Sequence, residues 1–263
     1  MTPLRLTGVL TTTLALGLST VAFAVTTSGT AGPDTLFGTP QTDQLSGLGG
    51  NDFIIGLGGN DRLLGGDGND AITGDGVCQP SPVTPVYCLP GNDGNDNIDG
   101  GAGNDNIDGN GGKDRVDGGT GQDRISGSAD NDDLRGDSGT DDIRGGTGND
   151  RIRGGTGNDK LRSQSGSDTV NGESGNDTIV ASAGNDRLSG GAGRDGLSGG
   201  SGSDRISGGA GIDRFSGGSG NDTIFSRDGS ADRVTCGSGR DRVNADRRDR
   251  VSRDCERVVR SRR

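Results

Sequence analysis

Acidic and aliphatic side chains alternate along this chain at a fixed spacing. Aspartate recurs every nine residues, first at Asp34, Asp43, Asp52, Asp61 and Asp70. A second run holds Asp96, Asp105, Asp114, Asp123, Asp132, Asp141, Asp150, Asp159, Asp168, Asp177, Asp186, Asp195, Asp204, Asp213 and Asp222, and after a one-residue insertion come Asp232 and Asp241. Two positions beyond each of these 22 aspartates stands a large apolar residue, among them Leu36, Ile54, Ile107, Ile152, Leu188, Phe215 and Val243. The three residues after the aspartate, such as Arg151-Ile152-Arg153, read out, in, out, which is a minimal strand with one core-facing side chain. The six before them, such as Gly145-Gly146-Thr147-Gly148-Asn149-Asp150, read as a tight turn. Two units make a flattened coil of 18 residues. The pattern predicts an all-β solenoid of nonapeptide repeats, with eleven coils, two parallel sheets and the aliphatic residues between them. At about 4.8 Å per coil the rod is roughly 50 Å long.

Composition sharpens this picture. The chain has 263 residues, of which 56 are Gly and 7 Pro, and Leu, Ile, Val and Phe together number only 48. With a net charge of −11, such averages belong to disordered chains rather than ordinary globular domains. Glycine does not fall at every third position, so the chain is not collagen. It contains no His, which removes Ser-His-Asp and Cys-His catalysis and imidazole metal sites. No nucleophile–base set is visible, and the expected class is not an enzyme. One apolar residue per nine is too little to offset the backbone entropy of ordering nine. Units 18 apart also stack their carboxylates on one edge, where they repel unless a cation lies between rungs. Carboxylates with freed turn carbonyls suit Ca²⁺, which takes 6–8 oxygens at about 2.3–2.6 Å. The chain is therefore expected to be disordered without metal and folded with it.

The unit Gly-Gly-x-Gly-x-Asp-x-aliphatic-x resembles the haemolysin-type calcium-binding repeat, or RTX repeat, family, over about residues 29–243. The resemblance implies a right-handed parallel β-roll with multiple Ca²⁺ ions between turns of neighbouring coils. Each ion would take carboxylates 18 apart plus turn carbonyls. The implied metal residues are Asp52, Asp61, Asp70, Asp96, Asp105, Asp114, Asp123, Asp141, Asp150, Asp159, Asp177, Asp195, Asp204, Asp213 and Asp222. The pairs with complete turns on both rungs are Asp105 with Asp123, Asp195 with Asp213, and Asp204 with Asp222. The turns before Asp43, Asp168 and Asp186 depart from the pattern and are expected to bind weakly or stay empty. Toxins, proteases and lipases of the family carry separate functional domains, so the resemblance implies calcium binding and not catalysis or toxicity.

The remaining segments divide the chain. Residues 1–24 carry one charge, Arg5, then an apolar run ending in Ala22-Phe23-Ala24, and read as a signal peptide. No basic stop-transfer flank follows, so no membrane insertion is expected after cleavage, and the mature chain is expected outside the cell. Residues 25–76 are N-terminal repeat coils and 92–235 the main roll. Between them, 77–91 is a Pro-rich loop, expected to be closed by Cys78–Cys88. From Asp70 to Asp96 is 26 residues, eight more than one coil. Residues 236–263 form a basic segment; 240–263 holds ten basic and five acidic residues. Val251, Cys255, Val258 and Val259 have helical spacing, which predicts a short helix capping the roll and stapled by Cys236–Cys255. A basic tail that binds an acidic cell surface is the rival reading, and the two are compatible. At the other end Leu48, Phe53, Ile55, Leu57 and Leu64 are extra apolar residues, placed to bury against a cap or a second chain.

On the outer faces, register 18 stacks Arg124, Asp142 and Lys160 on one sheet and Arg115, Asp133 and Arg151 on the other. Given the acidic total, this alternation reads as solubility and register control rather than a polyanion-binding face. Two functions stand from the sequence: a secreted calcium-binding protein that folds on its metal, and a surface or matrix protein using the roll as a rigid spacer. Calcium ions are the expected partners, with a cell-surface or matrix polymer as a further one; nucleic acid is not expected.

Overall fold

The computed structural model describes residues 23–75 and 93–260. The Cys78–Cys88 loop and almost all of the signal segment lie outside the described residues. Twenty-five strands run from β1 (Thr26–Ser28) to β25 (Arg257–Arg260). Odd-numbered strands form a 13-stranded sheet and even-numbered strands a 12-stranded one, each strictly in sequence order, and every pairing is parallel. Two strands per coil make a solenoid of about twelve turns, with no helix among the described residues. The all-β parallel roll expected from the period is therefore the observed architecture.

The aliphatic column is the core. All 22 apolar residues that follow an aspartate by two are buried, from Leu36 to Val243. They form one continuous cluster, joined by Ala181, Cys236, Ala245 and Cys255. Each strand buries its second and fourth positions, as in β17 (Arg187–Ala192), and the fourth is usually Gly. Gly148, at φ 133°, shows why the turn needs glycine: a Cβ there would land on the Asp130 carbonyl one coil below.

The phase of the loop insertion differs from its sequence reading. The backbone N–H of Asp61 bonds Asp96, and that of Asp70 bonds Asp105, both 35 residues apart. Asp96 therefore occupies the next half-coil after Asp70, and the insertion amounts to the excess of 26 residues over nine. Asp75 closes the base of this loop by accepting from the N–H of Gly94 at 3.1 Å.

Three strands exceed the 22 units and account for the extra turn. β1 precedes Asp34, and β24 (Arg250–Val251) and β25 follow the last regular aspartate. The expected C-terminal helix is therefore corrected to strand. Val251 lies opposite Val234 and Val258 opposite Val243, so these β-branched residues continue the sheets rather than line one helix face. The Cys236–Cys255 disulfide is present, with Cα atoms 5.2 Å apart, and it ties this final coil to the preceding one. Val258 and Val259 remain partly exposed at the open end. At the other end Phe37 and Phe53 are also exposed and meet edge to face at 6.4 Å.

The register on the outer faces is as the period requires: Arg124 faces Asp142, which faces Lys160, and Arg115 faces Asp133, which faces Arg151. The ion pairs run along a strand, as in Arg115 with Asp117, straight across, as in Arg135 with Asp117, and diagonally. Asp133 pairs with Arg153 at 2.9 Å and Asp142 with Arg162 at 2.6 Å, because a long guanidinium reaches the residue one rung down and two along. These half-exposed pairs contribute at most about 1 kcal/mol each.

Candidate metal centre

The repeat aspartates form two columns, one along each edge of the rod. The first contains Asp34, Asp52, Asp70, Asp105, Asp123, Asp141, Asp159, Asp177, Asp195, Asp213 and Asp232, and ends at Asp249. The second contains Asp43, Asp61, Asp96, Asp114, Asp132, Asp150, Asp168, Asp186, Asp204, Asp222 and Asp241. In each, the backbone N–H of one aspartate donates to Oδ1 of the aspartate one coil on, at 2.9 Å for Asp105 to Asp123 and 2.8 Å for Asp204 to Asp222. The side chains point inward and all but Asp34 are buried.

The second carboxylate oxygen decides the chemistry. In 20 of these aspartates, from Asp52 to Asp241, Oδ2 is buried and has no hydrogen-bond partner. All fifteen residues expected to hold metal belong to this set, together with Asp132, Asp168, Asp186, Asp232 and Asp241. A buried carboxylate oxygen left unpaired costs several kcal/mol, and the array repeats that cost at every rung. At about 4.8 Å apart, neighbouring charges also repel by about 3 kcal/mol at an effective dielectric constant of 20.

Each Oδ2 faces an oxygen-lined cradle. A Cβ built on Gly100 would stand 2.6 Å from Asp105 Oδ2 and 2.5 Å from the carbonyl oxygen of Gly118 on the next coil. The same two oxygen types converge on the corresponding glycine five residues before nearly every column aspartate, Gly145 and Gly190 included. Among the described residues no three Asp, Glu or Cys side chains cluster together. An ion here would therefore draw few side chains and complete its shell with carbonyls. Such an all-oxygen donor set fits a hard cation of flexible coordination, as Ca²⁺ is.

The first rungs satisfy their carboxylates differently. Thr39 donates its backbone N–H and its hydroxyl to Asp43 Oδ2, and the Thr30 hydroxyl lies 2.9 Å from Asp34 Oδ2. In the departing turn before Asp43, Thr39 thus gives this carboxylate the partner that Oδ2 lacks on later rungs. At the far end the columns continue past the regular spacing. Asp232 bonds Asp249, and the Asp241 N–H donates to Glu256 Oε2 at 2.8 Å. Asp249-Arg250-Val251 and Glu256-Arg257-Val258 keep the acid-x-apolar signal at altered spacing, so a search with a looser period would have found them.

Burial dominates the titration of the columns. Asp61 and Asp114 are pushed up from 3.8 to about 8, and Asp105, Asp132, Asp141 and Asp232 to about 7, first by desolvation. Column hydrogen bonds oppose the rise, and neighbouring carboxylates add to it. The metal-free folded chain thus binds protons more tightly than the unfolded chain. Its stability is greatest below about pH 4 and is lost as pH rises through 6 to 8. In chelator, acidification from pH 8 to 5 is expected to raise the far-UV β signal. In calcium the same change is expected to weaken metal binding, because protons compete for the carboxylates. A β signal in chelator that falls on acidification would contradict this linkage.

The family model of the RTX calcium-binding nonapeptide repeat (four copies) matches the chain in overlapping segments. They run from 28–63 and 46–76 through 90–125, 108–143, 126–161, 135–170, 144–179, 162–197 and 171–206 to 198–231. The chain belongs to this calcium-binding repeat family, and the matched repeats are a structural, calcium-binding module rather than a catalytic one. Ca²⁺ is the cofactor that membership brings. No curated protein matches the chain. Among solved structures, the chain is similar to a hyperactive, Ca²⁺-dependent, beta-helical antifreeze protein from an Antarctic bacterium. The identity is 21%, the TM-score 0.46, and the match covers 82% of this chain and 84% of that one.

Proposed function

We propose that this chain is a secreted rod that folds on binding calcium along both edges, with the column aspartates as ligands. The buried, unpartnered Oδ2 repeated on 20 rungs carries this reading. The metal supplies positive charge inside the columns. The chain supplies Oδ2 of each aspartate and turn carbonyls such as that of Gly118, held in register by the N–H to Oδ1 bonds. Weak sites, with Kd of roughly 10⁻⁴–10⁻³ M, match calcium outside a cell, so the chain crosses the membrane unfolded and condenses beyond it. Residues 1–24 act as the export signal, and N-terminal sequencing of exported protein is expected to begin at Val25.

The columns are not uniform. Where the interior glycine is replaced, a side chain fills the cradle: on the second column Ser163 before Asp168 and Ala181 before Asp186 do so on successive rungs, and Cys236 does so before Asp241, all three fully buried. Ser163 Oγ lies 3.4 Å from the Ala181 carbonyl, on the same line of oxygens an ion would use. The second column is thus interrupted between Asp150 and Asp204. Calorimetric calcium titration tests the reading. The wild type is expected to bind many ions, with the β signal rising in parallel, and S163G/A181G to bind about two more. No calcium binding, or binding without folding, would refute the proposal; unchanged stoichiometry in the folded variant would refute the interruption.

A further inference from the structure

The negative net charge of this chain is an interior property. Of its 38 acidic residues 24 are buried aspartates, leaving 14 outside that group against 24 lysines and arginines among the described residues, none of them buried. Once cations fill the columns, the outer surface is basic. In the middle of the rod that basic charge is paired, as at Arg115, Arg135, Arg144, Arg153 and Arg162. Toward the C-terminal end three arginines on one face have no such pair among the described residues.

Arg214 of β20 (Arg214–Ser219), Arg233 of β22 (Arg233–Ser238) and Arg250 of β24 lie directly opposite one another on consecutive strands. All three are exposed, and none makes an ion pair among the described residues. The acids next to them in sequence, Asp213, Asp232 and Asp249, are buried on the inner side. The neighbouring outward residues Ser216, Thr235 and Ser252 are neutral. Like charges stacked on adjacent strands destabilise a sheet, so this ladder costs stability unless something negative lies across it. With Arg194 the three arginines line a cleft of about 330 Å³, whose wall includes Ala231 and the half-exposed Ile212.

We propose that this face binds an acidic polysaccharide laid along the rod axis. The guanidinium groups repeat at the strand spacing of about 4.8 Å, which suits a linear polymer with regularly placed carboxylates or sulfates held through forked hydrogen bonds. Ile212 and Ala231 offer an apolar wall to the C–H face of a sugar ring. No aromatic side chain lines the cleft, so the stacking platform that single-stranded nucleic acid uses is missing. The inference rests on the calcium reading, since the ladder exists only in the folded rod and calcium in the columns cancels the negative charge beneath it.

The test is binding of calcium-loaded protein to immobilised dextran sulfate and to neutral dextran at about 0.15 M salt, with circular dichroism recorded on every sample. The wild type is expected to bind the sulfated polymer alone. R214S/R233S/R250S is expected to bind on the order of tenfold or more weakly, and R144S/R162S within about twofold of wild type. Absence of β signal in calcium would mark failure of the metal columns. A folded wild type that ignores dextran sulfate, or a folded triple variant that binds it equally well, would overturn the arginine face. Equal affinity for a DNA duplex would overturn the assignment to a polysaccharide.

Discussion

In excess chelator at neutral pH the rod is expected to lose most of its far-UV β signal, and to regain it with a midpoint of roughly 0.1–1 mM calcium. The magnitude follows from where the stabilisation lies. Each nine-residue unit buries one aliphatic side chain, too little by itself to offset the entropy of ordering nine residues. Backbone hydrogen bonds narrow that gap, but the unpartnered Oδ2 of Asp105, Asp123, Asp195 and their column neighbours widens it again. Because each coil contacts only its neighbours, stability is a sum of local terms and a deficit repeats along the whole rod. The N-terminal rungs are expected to resist longest. Asp43 is satisfied by Thr39 rather than by a cation. Hydrogen exchange in chelator that is slow throughout the rod would contradict this.

Gly100→Ala is expected to damage a metal cradle and the core beside it, and Gly196→Ala to be harmless. A Cβ on Gly100 would press on Asp105 Oδ2, the Gly118 carbonyl and, at 3.2 Å, Ile107 Cδ1, so it fills the cradle and strains the core together. The expected loss is about 1–3 kcal/mol of local stability, with a lower calcium stoichiometry. At Gly196 the nearest atom to an added Cβ is the Asp177 carbonyl oxygen at 4.0 Å, and the side chain would face outward on the even-numbered sheet. There a methyl group removes backbone freedom from the unfolded chain, and is expected to stabilise by about 0.4–1 kcal/mol. Thermal unfolding of both variants in calcium measures the contrast; equal midpoints would mean that the interior glycines do not mark the metal cradles.

The period made the fold legible because one residue in nine carries the core. Asp34 through Asp241 located 22 strands, their parallel register and the two carboxylate columns. What escaped lay where the period changes. The loop between Asp75 and Asp93 left the phase of Asp96 ambiguous, since sequence spacing alone does not say which edge of the rod the excess chain departs from. Val251, Val258 and Val259 suit a helix face by spacing, yet two of them pair in register with Val234 and Val243 and Val259 pairs with Asn244, because an existing sheet edge offers hydrogen bonds that a lone helix does not. Charge was read as a total. Burial divides it into an acidic interior and a basic exterior, and no linear count shows that division.

The most direct measurement is anomalous X-ray diffraction from crystals grown in calcium. Two lines of peaks are predicted inside the edges of the rod, each peak beside Asp Oδ2 and a glycine carbonyl of the next coil, with a gap on the second line near Ser163 and Ala181. Columns free of anomalous density in a folded, calcium-soaked rod would contradict the account.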